Sequence, residues 1–232
     1  MFNFTPEEIA AIRLSLWVAS IGVAASIPFG LLAAYALARW RFPGKILLDA
    51  LVHLPLVLPP VVTGYLLLVL MGRRGAIGSI LDQYFGIVFS FRWTGAALAA
   101  AVMGFPLLVR AIRLSFEATD RRLEASARTL GANRLFVFAT VTLPLALPGI
   151  LAGMVLCFAK ALGEFGATIT FVSNIPGETR TLPAAIYTYT QVPGGDEGAA
   201  RLVSVAIAIS LAALIVSELL ARGFSKRFGA FS

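Results

Sequence analysis

Charge, cysteine and histidine are all scarce in this chain. Of its 232 residues only 13% are charged, one is cysteine (Cys157) and one is histidine (His53). A soluble domain carries about a quarter charged residues, so the usual aqueous surface is excluded. A single cysteine excludes an intramolecular disulfide, and Cys157, inside an apolar run, reads as a small packing residue. A lone imidazole makes no metal site, which leaves His53 a structural reading. Without clustered His, Asp or Cys there is no catalytic constellation, so no catalytic, metal or cofactor-binding residue is assigned. No Gly-rich loop ending in Gly-Lys-Ser/Thr is present. Any ATP hydrolysis therefore belongs to another chain.

What the sequence has in quantity is apolar surface: 59% of residues are hydrophobic and the mean hydropathy is +0.87. No aqueous core hides so much, which makes lipid the solvent for most of the chain. Five stretches stand out: Leu14 to Ala38, Ile46 to Met71, Trp93 to Val109, Leu143 to Ile169 and Leu202 to Leu220. Each is long enough, or nearly so, to cross a hydrocarbon core of about 30 Å as a helix. The third needs to extend past Arg110, whose long side chain can snorkel. The segment before the first run carries Glu7 and Glu8 and no basic cluster, so that run is expected to be a retained span rather than a cleaved signal. The expected fold is an all-α polytopic membrane bundle, one domain over residues 1–232. It has five core spans, or six if residues 72–92 or the N-terminus contain another.

The net charge of +7 does not lie on a hydrophilic face, so nucleic acid is excluded as a partner; the cations flank the apolar runs, as topology determinants and lipid-headgroup contacts do. Twelve of the nineteen Lys and Arg fall in Arg39 to Lys45, Arg110 to Arg134 and Arg222 to Arg227. The positive-inside bias places these in the cytoplasm, with the N-terminus outside and the C-terminus inside. Among the intervening loops, Ile77 to Phe91 is half apolar and suits a short interfacial helix, and Leu182 to Tyr189 suits a short surface helix. Asp49, four residues after Lys45, reads as its helix-end ion-pair partner. Pro28, Pro55, Pro59, Pro60, Pro106, Pro144 and Pro148 fall inside spans. Each removes a backbone donor, and bending for packing and bending around a translocation path both account for them.

The stretch from Asp120 to Pro144 is different in kind. Asp120 is a good N-cap, Arg121 to Leu130 holds good helix formers, and Gly131 is placed to end the helix in a left-handed turn. Such a helix is too short to span. Its Ala125, Ser126 and Ala127 are small, and Arg121, Arg122, Arg128 and Arg134 surround them. Composition fits both a docking element for another protein and an amphipathic helix resting on headgroups.

The run LEASARTLGANRLFVFATVTLP resembles the EAA loop of ABC-importer permeases: small residues, a Gly, a nine-residue spacer and a closing Leu-Pro. The residues matched are Ala125, Ser126, Ala127, Gly131, Leu143 and Pro144. The motif's Glu position is occupied by Ala125, with Glu124 one residue earlier, which weakens the acidic contact only. Further stretches, HLPLVLPPVVTGYLLLVLMGRRG, FPLLVRAIRLSFE and ALGEFGATITFVSNIPGETRTLPAAIY, resemble molybdate permeases over essentially the whole chain. Sulfate/thiosulfate permeases, which share a Gly-Glu-aromatic-Gly element near residues 163–166, are the alternative that the resemblance leaves.

The resemblance implies a type I importer permease of the bacterial inner membrane. It implies a homodimer of this chain, two cytoplasmic ATP-binding subunits seated on residues 120–144, and a periplasmic binding protein that delivers molybdate or tungstate. Pro59, Pro60, Gly163, Glu164 and Gly166 are the candidates for the gate or path. Glu164 is ionisable at membrane depth, and Lys160 at i−4 offers it a partner; structural pairing and a gating or receptor contact remain open. Arg180, in an outer loop, suits either anion attraction or ordinary solvation. An ATP-independent anion channel is the alternative from another class, and the short cytoplasmic helix argues against it.

Overall fold

The computed structural model describes residues 4–228, and the described chain is helical throughout. Helix α1 (Pro6–Arg39) begins at a capping box in which Thr5 and Glu8 satisfy each other's backbone N–H groups, with Pro6 in the first turn. The second apolar run is not one straight span. It forms α2 (Lys45–Val57) and α3 (Pro60–Met71), which meet at 116° because Pro59 and Pro60 remove successive backbone donors. A short α4 (Gly78–Phe85) follows, with Ile80, Tyr84 and Phe85 exposed as expected of an interfacial helix. Helix α5 (Trp93–Ala118) runs well past Arg110.

Helix α6 (Arg121–Thr129) is the short helix expected between spans. A single turn, α7 (Arg134–Val137), then passes through a π-helical stretch (Phe138–Thr142) into α8 (Leu143–Leu162). The fourth apolar run is also broken: Gly163 to Phe165 interrupt it before α9 (Gly166–Val172). Helices α10 (Leu182–Thr190) and α11 (Asp196–Phe228) complete the chain. Helix α10 is no surface helix, since Leu182, Ala184 and Ala185 are buried and Leu182 and Ala185 share a core with Ala11 and Leu202. The basic side chains of the tail, Arg222, Lys226 and Arg227, lie outside the described side chains. Among the described residues four helical segments are long and apolar enough to span, and the bent α2–α3 pair makes five if counted as one.

Helices α1, α5 and α8 form the centre. In α1 the buried residues Gly22, Ser26, Gly30 and Ala34 recur every fourth position, a stripe that lets backbones approach. A Cβ placed on Gly22 would lie 3.0 Å from the Ala97 carbonyl oxygen of α5, and one on Gly153 of α8 would lie 3.0 Å from that of Leu108. Cys157 is buried against Gly104, the packing role read for it.

A close backbone approach also joins α3 to α9. A Cβ on Gly64 would stand 2.5 Å from the Ala167 carbonyl oxygen and 2.8 Å from its Cα, both backbone atoms that cannot swing aside. Gly64→Val is therefore expected to lower stability by about 1–3 kcal/mol, the usual cost of overpacking. Gly163→Ala, where the nearest atom to a Cβ is 3.7 Å away, is expected to stay within about 0.5 kcal/mol. Thermal midpoints of the purified variants in detergent measure both.

Candidate functional site

Helix α6 is held to the end of the bundle by charge. Asp120 caps it, accepting from the Arg122 N–H at 2.9 Å, and Gly131 follows it at φ +89°, where a side chain would be strained. Glu124 is the one buried residue of α6 and points inward. The Arg39 guanidinium, at the end of α1, donates to Glu124 Oε1 at 2.9 Å and to the Thr119 carbonyl, at the end of α5, at 3.3 Å. The Thr142 hydroxyl donates to the same Glu124 oxygen at 3.1 Å. One carboxylate thus ties α6 to α1 and to the π-helical stretch, and through Arg39 to α5.

With Glu124 turned inward, Ala125, Ser126 and Gly131 are left exposed and Ala127 half-buried. The outward face is small and carries no acid, as a close-docking surface requires. Leu143 and Pro144 begin α8 and do not share that face; both are half-buried. The π-helical stretch between them and α7 widens the helix where Thr142 reaches Glu124, a contact that no motif in the sequence announces.

The other candidates gather at the two helix breaks. A Cβ on Gly166 would lie 2.8 Å from Pro60 Cβ, so the starts of α3 and α9 stand side by side. Glu164, 2% exposed, lies in the break before α9. Its Oε1 accepts from the Ala167 N–H at 2.9 Å, and its Oε2 pairs with Lys160 Nζ at 3.3 Å. The pairing read from the i, i+4 spacing is present, and the carboxylate also caps a half-helix. Pro59, Pro60 and Gly163 are exposed at the edge of the single chain.

Three other polar groups find partners the sequence did not indicate. Asp49 pairs with Arg113 of α5 at 3.1 Å and with His53 at 3.3 Å, not with Lys45. Arg180 is neither a free loop cation nor fully solvated: it reaches Glu7 at 3.4 Å and Asn174 at 3.0 Å. Glu8, wholly buried, holds Arg201 of α11 at 2.8 Å.

This bundle has the same fold as chains in solved ABC transporters. It resembles, at a TM-score of 0.69 and 18% identity, a chain of a bacterial transporter involved in import of the acidic polysaccharide alginate, covering 97% of this chain and 81% of that one. An amino acid ABC transporter crystallised with histidines matches at 0.65 and 21% identity, covering 94% of both chains. The chain belongs to the family described as binding-protein-dependent transport system inner membrane component, whose model matches residues 26–229. It is a multi-pass transport subunit. Among curated relatives, the molybdenum transport system permease protein ModB of Escherichia coli (strain K12) is 62% identical, covering 97% of this chain and 98% of the relative. The protein of the same name from Haemophilus influenzae is 57% identical, covering 96% and 97%. The sulfate transport system permease protein CysT of Salmonella typhimurium (strain LT2) is 37% identical, covering 96% of this chain and 79% of the relative.

The Arg39–Glu124 side chains are 8% and 10% exposed, whereas in the Arg73–Asp82 pair they are 69% and 37% exposed. Arg39→Met leaves a buried carboxylate without its cation and is expected to cost about 3–5 kcal/mol; Arg73→Met is expected to cost under about 1 kcal/mol. Thermal unfolding of the two variants, side by side, reads the difference.

Proposed function

We propose that this chain is the membrane-spanning permease of a molybdate importer, moving the oxyanion into the cytoplasm. The observation that carries this reading is the 62% identity, over nearly the full length of both chains, to a molybdenum permease, against 37% to a sulfate permease. A molybdate-binding protein in the periplasm presents the substrate at the end of the bundle where α1 and α11 begin. Two cytoplasmic ATP-binding subunits take the α6 helices of two permease copies. The N-terminus then faces the periplasm and the C-terminus the cytoplasm.

The geometry supports a mechanical role for residues 120–144. A pull on α6 is transmitted by Glu124 to Arg39 and Thr142, and so reaches α1 and α8 together. Ala125, Ser126 and Ala127 form the seat, Gly131 the turn that frees it, and Leu143 and Pro144 the entry into the span that moves. Pro59, Pro60, Gly163, Glu164 and Gly166 form the gate. Because Pro59, Pro60 and Gly163 are exposed on one chain, a path lined by them closes only against a second copy, which supports the homodimer. Discrimination among tetrahedral oxyanions rests mainly with the binding protein, because no unpaired cation is among these gate residues.

Uptake of labelled molybdate in cells lacking the chain, restored by expressing it, tests the substrate. Tungstate is expected to compete and sulfate to compete weakly; failed sulfate-dependent growth with normal molybdate uptake overturns the assignment. A stable complex with an ATPase is expected on purification, and an isolated chain active without one points to a channel instead.

Glu164→Gln keeps the oxygen that caps α9 and loses the charge that holds Lys160. Transport is expected to fall while assembly with the ATPase stays normal. Unchanged transport reduces Glu164 to a structural cap.

A further inference from the structure

Beside α6 the bundle has a pocket of about 780 Å³ into which four arginines converge: Arg39, Arg121, Arg128 and Arg134. Glu124 is the only acid in its lining, and its carboxylate is already engaged by Arg39 at 2.9 Å and Thr142 at 3.1 Å. Arg128 lies 4.0 Å from that carboxylate, at the limit of an ion pair. Among the described residues Arg121 and Arg134 have no acidic partner. Three guanidinium groups thus face one space with little to balance them. Guanidinium forks match phosphate oxygens in geometry and charge.

Much of the apolar lining comes from α1 and its end. Leu31, Leu32 and Tyr35 sit in the last turns of that membrane-length helix, and Trp40 caps it. Leu32 is 60% exposed and Trp40 50% exposed. A tryptophan at the end of a span is the usual marker of the headgroup level. The pocket therefore joins a cationic rim, at the end of the bundle, to an apolar wall that continues along the span. A free anion would satisfy the rim and leave the wall bare. An amphiphile with an anionic head satisfies both, and basic pockets of this kind between membrane helices suit phospholipid headgroups.

We propose that this pocket binds the headgroup of an anionic phospholipid from the cytoplasmic leaflet. Its phosphate lies among Arg121, Arg128 and Arg134, and its glycerol and first acyl methylenes lie against Leu32 and Trp40. The placement in the cytoplasmic leaflet rests on the reading of α6 as the ATPase seat. A lipid held between α1 and α6 braces the same joint as Glu124, from its open side.

The test uses the complete transporter, permease with its ATPase, in nanodiscs mixing phosphatidylglycerol with a zwitterionic lipid, and counts lipids retained per permease by native mass spectrometry. Arg121→Gln with Arg134→Gln is expected to reduce retained phosphatidylglycerol several-fold and leave zwitterionic lipid unchanged. Arg74→Gln with Arg92→Gln, outside the pocket, is expected to change neither. Equal phosphatidylglycerol retention in the two double variants overturns the proposal. Displacement of phosphatidylglycerol by inorganic phosphate alone, as readily as by added anionic lipid, overturns it in favour of a free-anion site. Loss of the ATPase with lipid retention intact overturns it in favour of a protein contact. Ser126→Trp, on the α6 seat but outside the pocket lining, separates the two readings: if the ATPase still binds, the α6 seat is wrong, while the lipid count stands or falls by itself.

Discussion

The structure depends on how closely α1, α5 and α8 approach one another. In lipid, burying apolar side chains between helices gains little, because acyl chains are as apolar as leucine; packing contact and hydrogen bonding must hold the bundle. The stripe Gly22, Ser26, Gly30 and Ala34 on α1, and Gly149, Gly153 and Cys157 on α8, supply that contact by removing bulk. Helix α5 lies between them and contributes small residues where it needs them: Ala96, Ala97, Ala99, Ala100 and Gly104 toward one end, then Leu108, Ile112 and Phe116 toward the other. The small end permits backbone contact, and the large end fills the widening space beside Tyr35 and Phe138, whose rings meet Phe116 at 5.5 and 6.3 Å.

This gradient places the polar network. Because α1 and α5 end together, Arg39 can bond both the Thr119 carbonyl and Glu124. A guanidinium at this depth is costly unless its donors are met, and a buried carboxylate is costly unless paired. The Arg39 Nη2 and the carboxylate satisfy each other, although Arg39 Nε is buried without a partner, and the pairing fixes where α6 sits. The opposite end is closed with the same chemistry: Glu8 is wholly buried against Arg201, which donates two bonds to it, and Glu7, 70% exposed, meets Arg180. Each end thus combines one buried carboxylate with pairs that are open to solvent, Arg113–Glu117 at the α6 end and Glu7–Arg180 at the other.

The positions of the helices were legible in hydropathy, and their breaks were only half legible. Pro59 and Pro60 announce a break, but the 116° angle depends on α3 finding α9, a contact between residues more than a hundred positions apart. The break at Gly163 had no proline to mark it and was read as continuous span. Local pairs were legible when the partner was one turn away, as for Lys160 and Glu164. The same rule misled for Asp49, because Arg113 of the neighbouring helix offered a better-placed donor than Lys45. Glu124 shows the limit most clearly. Its neighbours in sequence identify the segment, but its partner Arg39 lies 85 residues earlier, and no periodicity reports that.

That inward turn of Glu124 changes how the proposed docking role of residues 120–144 reads. An acid on the outer face would contribute to docking directly, and its displacement by one position would be a defect. Turned inward, the acid acts on the bundle instead, and the outward face is left with small residues and arginines and no acid. On the proposed reading of α6 as the ATPase seat, its two roles, a seat for a partner and a stiff joint to the spans, fall to different parts of one nine-residue helix. A seat that moved independently of α1 and α8 would transmit nothing. Arg39 and Thr142 prevent that, since displacing α6 alone would strand a buried charge. The shift of the acid from the motif position to residue 124 therefore places it where the helix meets the bundle, which is where rigidity is needed.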